Sequence, residues 1–479
     1  MYNGMGNYNQ NLFTKGQISS MVQKALTAAT GSGEGLIPQH LEQLMTNTMV
    51  RLSVAIAMIS GKYSPQKYHE FNRITSLPAA GGAMGEGATT PTTQSGYTRT
   101  GRNLKVIRRK GAVTNFLQDA SKNFIDAVQI EMENHAQAHA WDLETYIMYG
   151  NENADSYTHS GLDSFITTNR VNQAVGGAVP GDLSFLDDMI DANTDKQGAN
   201  HRKAFVMSPQ MLSKVSRLLT NVRNNQSAGE GLATIEIAGG WRLQSYRDVP
   251  IIAAGNCRPK STMGTVTAST ATAGGTVADA TYYFRVAAVL YTGEQLACAQ
   301  ISQAAGGGGT STVTLAWAAV TGAYYYRIYC STTTGATKLV AIVPAWAYDA
   351  NGTPIAAVTG TVFTTSPNSA NPTFTLSATG GITSPSITAS VNTAMANDVP
   401  LVATGGIPPE SVFFWDLDEI QGMGKYAYTN SGGSKFNGLV SMEPLAKTDD
   451  NLPFMIKTYG ALIDSYEATS GLIRGLRVS

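Results

Sequence analysis

Apolar residues recur at intervals of three and four across SKNFIDAVQIEMENHAQAHAWDLETYIMYG, residues 121–150, a stretch without proline or internal glycine. Phe124, Val128, Met132, Ala136, Leu143 and Ile147 form the stripe, and Ile125, Ile130 and Trp141 widen it. Lys122, Glu131, Glu133 and Gln137 occupy the opposite side. The pattern predicts one uninterrupted helix, with Ser121 as N-cap, Asp126 near the positive end of the helix dipole, and Gly150-Asn151 as the stop. Such a helix is roughly 43 Å long.

Two further helical patterns, 17–30 and 38–59, precede it, after a polar arm over 1–16. Between 61 and 111 the chain turns poorly apolar. Its tip, LPAAGGAMGEGATTPTTQSG, is too small and soft to pack a core, and alternation resumes over 103–113. This reads as a two-stranded hairpin arm of about fifty residues, long enough that function or disorder is the usual reason. Its flanks are basic: Lys62, Lys67 and Arg73 going out, then Arg99, Arg102, Lys105, Arg108, Arg109 and Lys110 returning. Two readings stand side by side. One is a solvated basic arm; the other is an arm whose cations meet carboxylates of adjacent subunits, with Glu131 and Glu133 as candidate acids.

Residues 162–256 are mixed: a helix over 183–193, a short buried strand at AFVM (204–207), and a helix over 210–219 opened by Ser208 and Pro209. Two strands joined by a turn at Arg247-Asp248 follow, within 241–254. From about 260 to 404 the composition shifts to Thr, Ala, Gly, Ser and Val, with strands at 282–291, 311–317, 323–329 and 338–343. After 408 the earlier mixture returns, and SVFFWDLDEI needs a partner sheet, most simply the one left at 251–254. The β-rich segment is therefore an insertion in a host domain.

The chain has 479 residues, 33 basic against 34 acidic, and only 14% charged, which suits a protein with large permanent interfaces and equally an apolar secreted one. The N-terminal residues lack the layout of a signal peptide, and no run approaches a membrane span. Three scattered cysteines offer neither a metal cluster nor a disulfide scaffold.

His135 and His139 stand at ligand spacing with Asp142 one turn on, but Ala136 breaks the metalloprotease pattern. Lys196 replaces the glycine that a calcium loop beginning at Asp191, Asn193 and Asp195 requires. Arg102 and Asn103 replace the Lys and Ser/Thr of a phosphate loop. Asp416, Asp418 and Glu419 read as a solvated or salt-bridged strand edge. No catalytic constellation, cofactor site or metal site is expected.

The order of parts resembles a known family. YYFRVAAV followed by VTLAWAAVTGAYYYRIY is similar to fibronectin type III and related immunoglobulin-like sandwiches, with Trp317, Tyr324 and Tyr326 at core aromatic positions. Outside it, the arm, glycine-tipped hairpin, long helix, VMSPQML, DVPII, FFWDLDEI and the ending EPLAKTDDNLPFMIKTYGAL…LIRG resemble the major capsid proteins of tailed bacteriophages with the HK97-type fold. The resemblance implies an α+β fold divided as N-terminal arm 1–60, E-loop 61–114, P-domain spine helix 115–160, A domain 161–256, immunoglobulin-like insertion 257–404, A-domain return 405–445 and P-domain return 446–479. It implies a non-enzymatic shell protein, forming hexamers and pentamers around double-stranded DNA held without sequence specificity. Portal and scaffolding proteins would be partners, with a possible decoration protein and no membrane; assembly would be in the host cytoplasm and residence in the virion. The insertion is expected to project outward. No E-loop crosslink and no large cleaved N-terminal segment are expected, since Lys62 and Lys67 lie at the loop base and only about sixty residues precede it. The alternatives are an encapsulin-like compartment and, from a different class, a cell-surface β-sandwich adhesin.

Overall fold

The long helix starts later than the pattern implies, at Ala127, and a separate short helix ends at Ser121. In the computed structural model one helix spans Asn115–Ser121 and a second Ala127–Tyr149. Asp126, not Ser121, is the N-cap of the long helix: its carboxylate accepts from the backbone N–H groups of Val128 and Gln129, both at 3.1 Å. Two charge-assisted bonds to orphan amides outcompete a serine five residues upstream, which instead ends the preceding helix. At 1.5 Å per residue the long helix runs roughly 34 Å. The structure describes residues 58–64, 66–78, 83, 86, 89, 92–121, 126–225, 233–237, 241–272, 277, 279–306, 310–348, 354–357, 391–424, 440–447 and 449–479. The N-terminal arm, the expected helix over 17–30, all but the end of the one over 38–59, and the low-complexity stretch after 361 up to 390 lie outside them.

A seven-stranded sheet forms the centre, in the order Arg170–Asn172, Gly471–Leu476, Glu410–Asp416, Lys203–Met207, Val249–Ala253, Trp241–Tyr246, Ala233–Ile237. The returning strand Glu410–Asp416 thus joins the sheet that the chain left at Ala253, with Lys203–Met207 between them. Both inner strands are buried on both faces, and the two-residue period sorts their side chains. Phe205, Met207, Val412 and Phe414 meet Leu186, Ile190, Met211 and Val215 of the helices Ser184–Asn193 and Pro209–Asn225. Ala204, Val206, Phe413 and Trp415 point the other way, toward Met148 and Tyr149 at the end of the long helix. The expected cap is present, the Met211 N–H donating to Ser208 Oγ at 3.1 Å. The turn between the strands ending at Tyr246 and starting at Val249 places Arg247 and Asp248 at φ 48° and 64°, the left-handed pair that matches strand twist in a tight hairpin.

A second sheet is built on Asn451–Asp464, which pairs with Lys105–Thr114, Val440–Pro444 and Ile420–Gly424. The first half of the long helix lies over it, His139 Nε2 sitting 2.8 Å from Thr458 Oγ1 and His135 edge-on to Phe454. Val128, Met132 and Ala136 are partly buried there; full burial begins at His139 and covers Leu143, Glu144, Thr145, Met148 and Tyr149.

The strands expected in the β-rich segment are present as Ala280–Leu290, Thr312–Trp317, Ala323–Ser331 and Lys338–Pro344. The sheet of Ala280–Leu290, Ala323–Ser331 and Lys338–Pro344 faces the two-stranded sheet Val266–Ala271 with Thr312–Trp317 across one core. Trp317 and Tyr326 stack edge to face there at 5.2 Å. Tyr324 does not join them. Leu290 pairs with Ala323 and Val289 with Tyr325, leaving Tyr324 as the extra residue of a β-bulge. The bulge turns Tyr324 onto the same side as Tyr325, away from the sandwich core and toward the long helix, where its ring meets Tyr146 at 4.9 Å.

Candidate subunit interface and a buried ionic cluster

Pleating decides what the basic flanks of the hairpin can touch. Along Lys105–Thr114 the odd positions face the long helix and the even ones face out. Lys105 accordingly pairs with Glu152 at 2.7 Å, and Arg109 grips one oxygen of Asp142 through Nε (3.2 Å) and Nη2 (2.6 Å). Arg108 and Lys110 are exposed on the outer face with Val106, and no carboxylate pairs with Arg108 among the described residues.

The hairpin strands Tyr68–Ser76 and Gly96–Asn103 pair antiparallel from Tyr68↔Asn103 to Ser76↔Gly96. Arg73 lies 5.9 Å from the ring centroid of Tyr466, and Arg102 lies 4.9 Å from that of Phe165. Arg99 reaches Glu70 at 3.4 Å in the open, a pair that contributes little. Of the two candidate acids, Glu131 pairs with His135 at 3.2 Å and Glu133 accepts from Gln129 at 3.0 Å. Among the eight expected contact residues the structure therefore unites none as a cation–carboxylate pair with another. At the tip end of the hairpin the exposed face is apolar: Ile74 and Tyr97, direct cross-strand partners, are 61% and 72% exposed, and Leu77 follows at 73%.

The other residues weighed for chemistry have structural partners. Asp142 is held by Arg109 and also by the Tyr324 hydroxyl, and Asp191 by Arg247 at 3.1 Å. Asn193 donates to the Thr469 carbonyl at 2.8 Å. Asp416 is not a solvated edge group: it is fully buried and lies 2.7 Å from His201 Nδ1, while Asp418 takes Arg202 at 2.7 Å. The strand that carries Asp416 is covered on both faces, which explains the difference. Among the described residues no group of three or more His, Cys, Asp or Glu is arranged to hold a metal ion, and no helix is long and apolar enough to cross a membrane.

A cluster that the sequence did not suggest lies where the β-rich segment meets the central sheet. Arg170, Arg327 and Arg474 converge there with Asp163, Glu294 and Asp398, all six side chains 2% exposed or less. Arg170 Nη2 reaches Asp163 at 2.8 Å, and its Nε reaches Asp398 at 2.6 Å. Arg327 pairs with Asp163 and lies 3.4 Å from both Glu294 and Asp398. Arg474 donates to Glu294 at 2.7 Å, and the Tyr329 hydroxyl donates to the other Glu294 oxygen at 2.7 Å. Burial pushes the Asp163 carboxyl up, but the guanidinium groups of Arg327, Arg170 and Arg474 outweigh it and hold the group well below the usual carboxylate range. The available signal was a lone arginine inside an otherwise apolar strand, in AYYYRIY and GLIRGL.

Residues 39–238 match the family model of the SU10 major capsid protein. No curated protein sequence matches the chain. Among solved structures, the chain is similar to the SrpI encapsulin of Synechococcus elongatus PCC 7942, at 10% identity and TM-score 0.45, over 95% of this chain and 96% of that one. It is also similar to the capsid of cyanophage A-1(L), at 11% identity and TM-score 0.46, over 92% and 98%. The capsid of a native GTA particle gives 11% and 0.42, over 94% and 98%. The family match falls on the hairpin, the long helix and the helices and strands that begin the central sheet, so this part of the chain is similar to that major capsid protein family, in the order of parts that the sequence resemblance implied.

Proposed function

We propose that this chain builds the icosahedral head of a tailed bacteriophage and encloses double-stranded DNA without reading its sequence. The family match over residues 39–238 carries the proposal, since it spans both the hairpin and the helix against which such hairpins would be expected to seat. In this reading 61–114 is the E-loop, 115–160 the spine region of the P domain, 161–256 and 405–445 the A domain, 446–479 the P-domain return, and 257–404 an immunoglobulin-like insertion. The exposed Ile74–Tyr97 face of the hairpin, with Arg108 beyond its base, would meet neighbouring copies. Near-neutral net charge, −1, suits a lining that must not grip packaged DNA. Portal and scaffolding proteins would join it during assembly in the host cytoplasm. The test is nuclease treatment of purified particles followed by extraction: protected double-stranded DNA supports the proposal, whereas particles that protect a protein cargo and no nucleic acid would assign the shell to a compartment.

A further inference from the structure

The β-rich segment is joined to its host by charges that neither side balances alone. The segment contributes Glu294, Arg327 and Asp398, and the host contributes Asp163, Arg170 and Arg474. Two acids and one arginine meet one acid and two arginines, so each side is left with one uncompensated charge until they close. An unpaired charge in such a site costs several kcal/mol, far more than a closed cluster contributes.

Packing points the same way. The sheet of Ala280–Leu290, Ala323–Ser331 and Lys338–Pro344 is buried on its second face too, where Ala287, Val289, Tyr325 and Ile342 share one core with Val206, Phe413, Trp415 and Leu472 of the central sheet. Tyr325 donates its hydroxyl to the Tyr149 carbonyl, and Tyr149 donates its own to the Asn256 carbonyl at 3.0 Å. Gly293 (φ +100°) presses against the Asn256 backbone so closely that any Cβ would collide with it. Arg474 lies on the last strand, so the cluster closes only when the end of the chain has taken its place.

We infer that the described β-rich strands from Val266 to Pro344, with Asp398, are an obligate member of the protein's fold and open and close with the central sheet as one cooperative body. The segment is a keystone between the long helix and the central sheet; a peripheral ornament could be removed without harm.

Hydrogen exchange read by mass spectrometry on the full chain tests this directly. Amides of Ala280–Leu290 and Ala323–Ser331 are expected to share one opening with those of Glu410–Asp416 and Gly471–Leu476. Arg327→Met is expected to accelerate exchange in both sets together, by about a hundredfold, the population equivalent of breaking a buried pair. The double variant Arg327→Met/Asp163→Asn, which leaves two arginines with two acids, is expected to recover to within about tenfold of the parent. The inference is overturned if the β-rich amides in the parent exchange through a separate opening at least tenfold more frequent. Acceleration confined to the β-rich segment in Arg327→Met would overturn it as well. Should the single variant fail to fold, the comparison within the parent chain decides alone.

Discussion

The Tyr324 hydroxyl donates to one carboxylate oxygen of Asp142 while Arg109 holds the other, so one acid on the long helix ties together the β-rich segment and the strand at the base of the hairpin. Tyr324→Phe removes one donor and leaves the Arg109 pair in place. The expected loss is about 1–2 kcal/mol in thermal or chemical unfolding. Asp142→Ala strands the half-buried Arg109 as well and is expected to cost more.

Asp464 gives a stability term with an unusual sign. Burial, reinforced by the nearby Glu467, Glu419 and Asp416 carboxylates, pushes its pKa up to about 7 from an ordinary 3.8. The folded state therefore holds a proton that the unfolded chain releases between those values. The contribution is fully present below about pH 4 and is lost as pH rises through 7. Asp464→Asn, unable to ionise, is expected to be more stable than the parent at pH 7.5 by on the order of 4 kcal/mol and nearly equal at pH 4. Denaturant titrations at the two pH values provide the check.

His139 acts in the opposite direction. Burial beneath the second sheet lowers its pKa from 6.5 to about 4, only partly offset by Asp142. Protonation favours the unfolded chain, so the stability it lends is present above pH 6.5 and is lost as pH falls toward 4. His139→Gln is expected to flatten the unfolding free energy over that window by about 3 kcal/mol relative to the parent. An unchanged slope would show that His139 is not buried neutral.

These assignments bear on what could be read from the sequence. Strands of the β-rich segment were legible because aromatic and β-branched runs alternate between Gly/Thr turns, and the Ser208 cap because a short polar residue precedes Pro209. The start of the long helix was misplaced because Ser121 and Asp126 are both competent caps, and only the observed bonds to Val128 and Gln129 decide between them. Tyr324 was assigned to the sandwich core by resemblance alone, and a bulge opposite Val289 and Leu290 turns it away. The ionic cluster was missed for a different reason. Its members come from positions as far apart as Asp163 and Arg474, and a lone arginine in an apolar strand hints at a buried charge without naming the partners it meets in the folded chain.

The apolar hairpin face separates folding from assembly. Tyr97→Glu and Ile74→Glu fall on an exposed surface and are expected to shift the unfolding free energy by no more than about 0.5 kcal/mol. If that face seats on a neighbouring copy, either change is expected to leave soluble, folded protein that no longer forms particles, as judged by circular dichroism beside sedimentation. Arg108→Glu is expected to weaken assembly less, because a rim charge contributes less than a buried apolar anchor.

The central claim, that this chain is a shell-forming capsid protein, is tested most directly by sedimentation velocity with electron microscopy on the full chain expressed alone and then with a scaffolding protein. Closed shells, tubes or capsomer rings are the predicted outcome in at least one of the two conditions. A folded chain that sediments as a monomer in both would contradict the account.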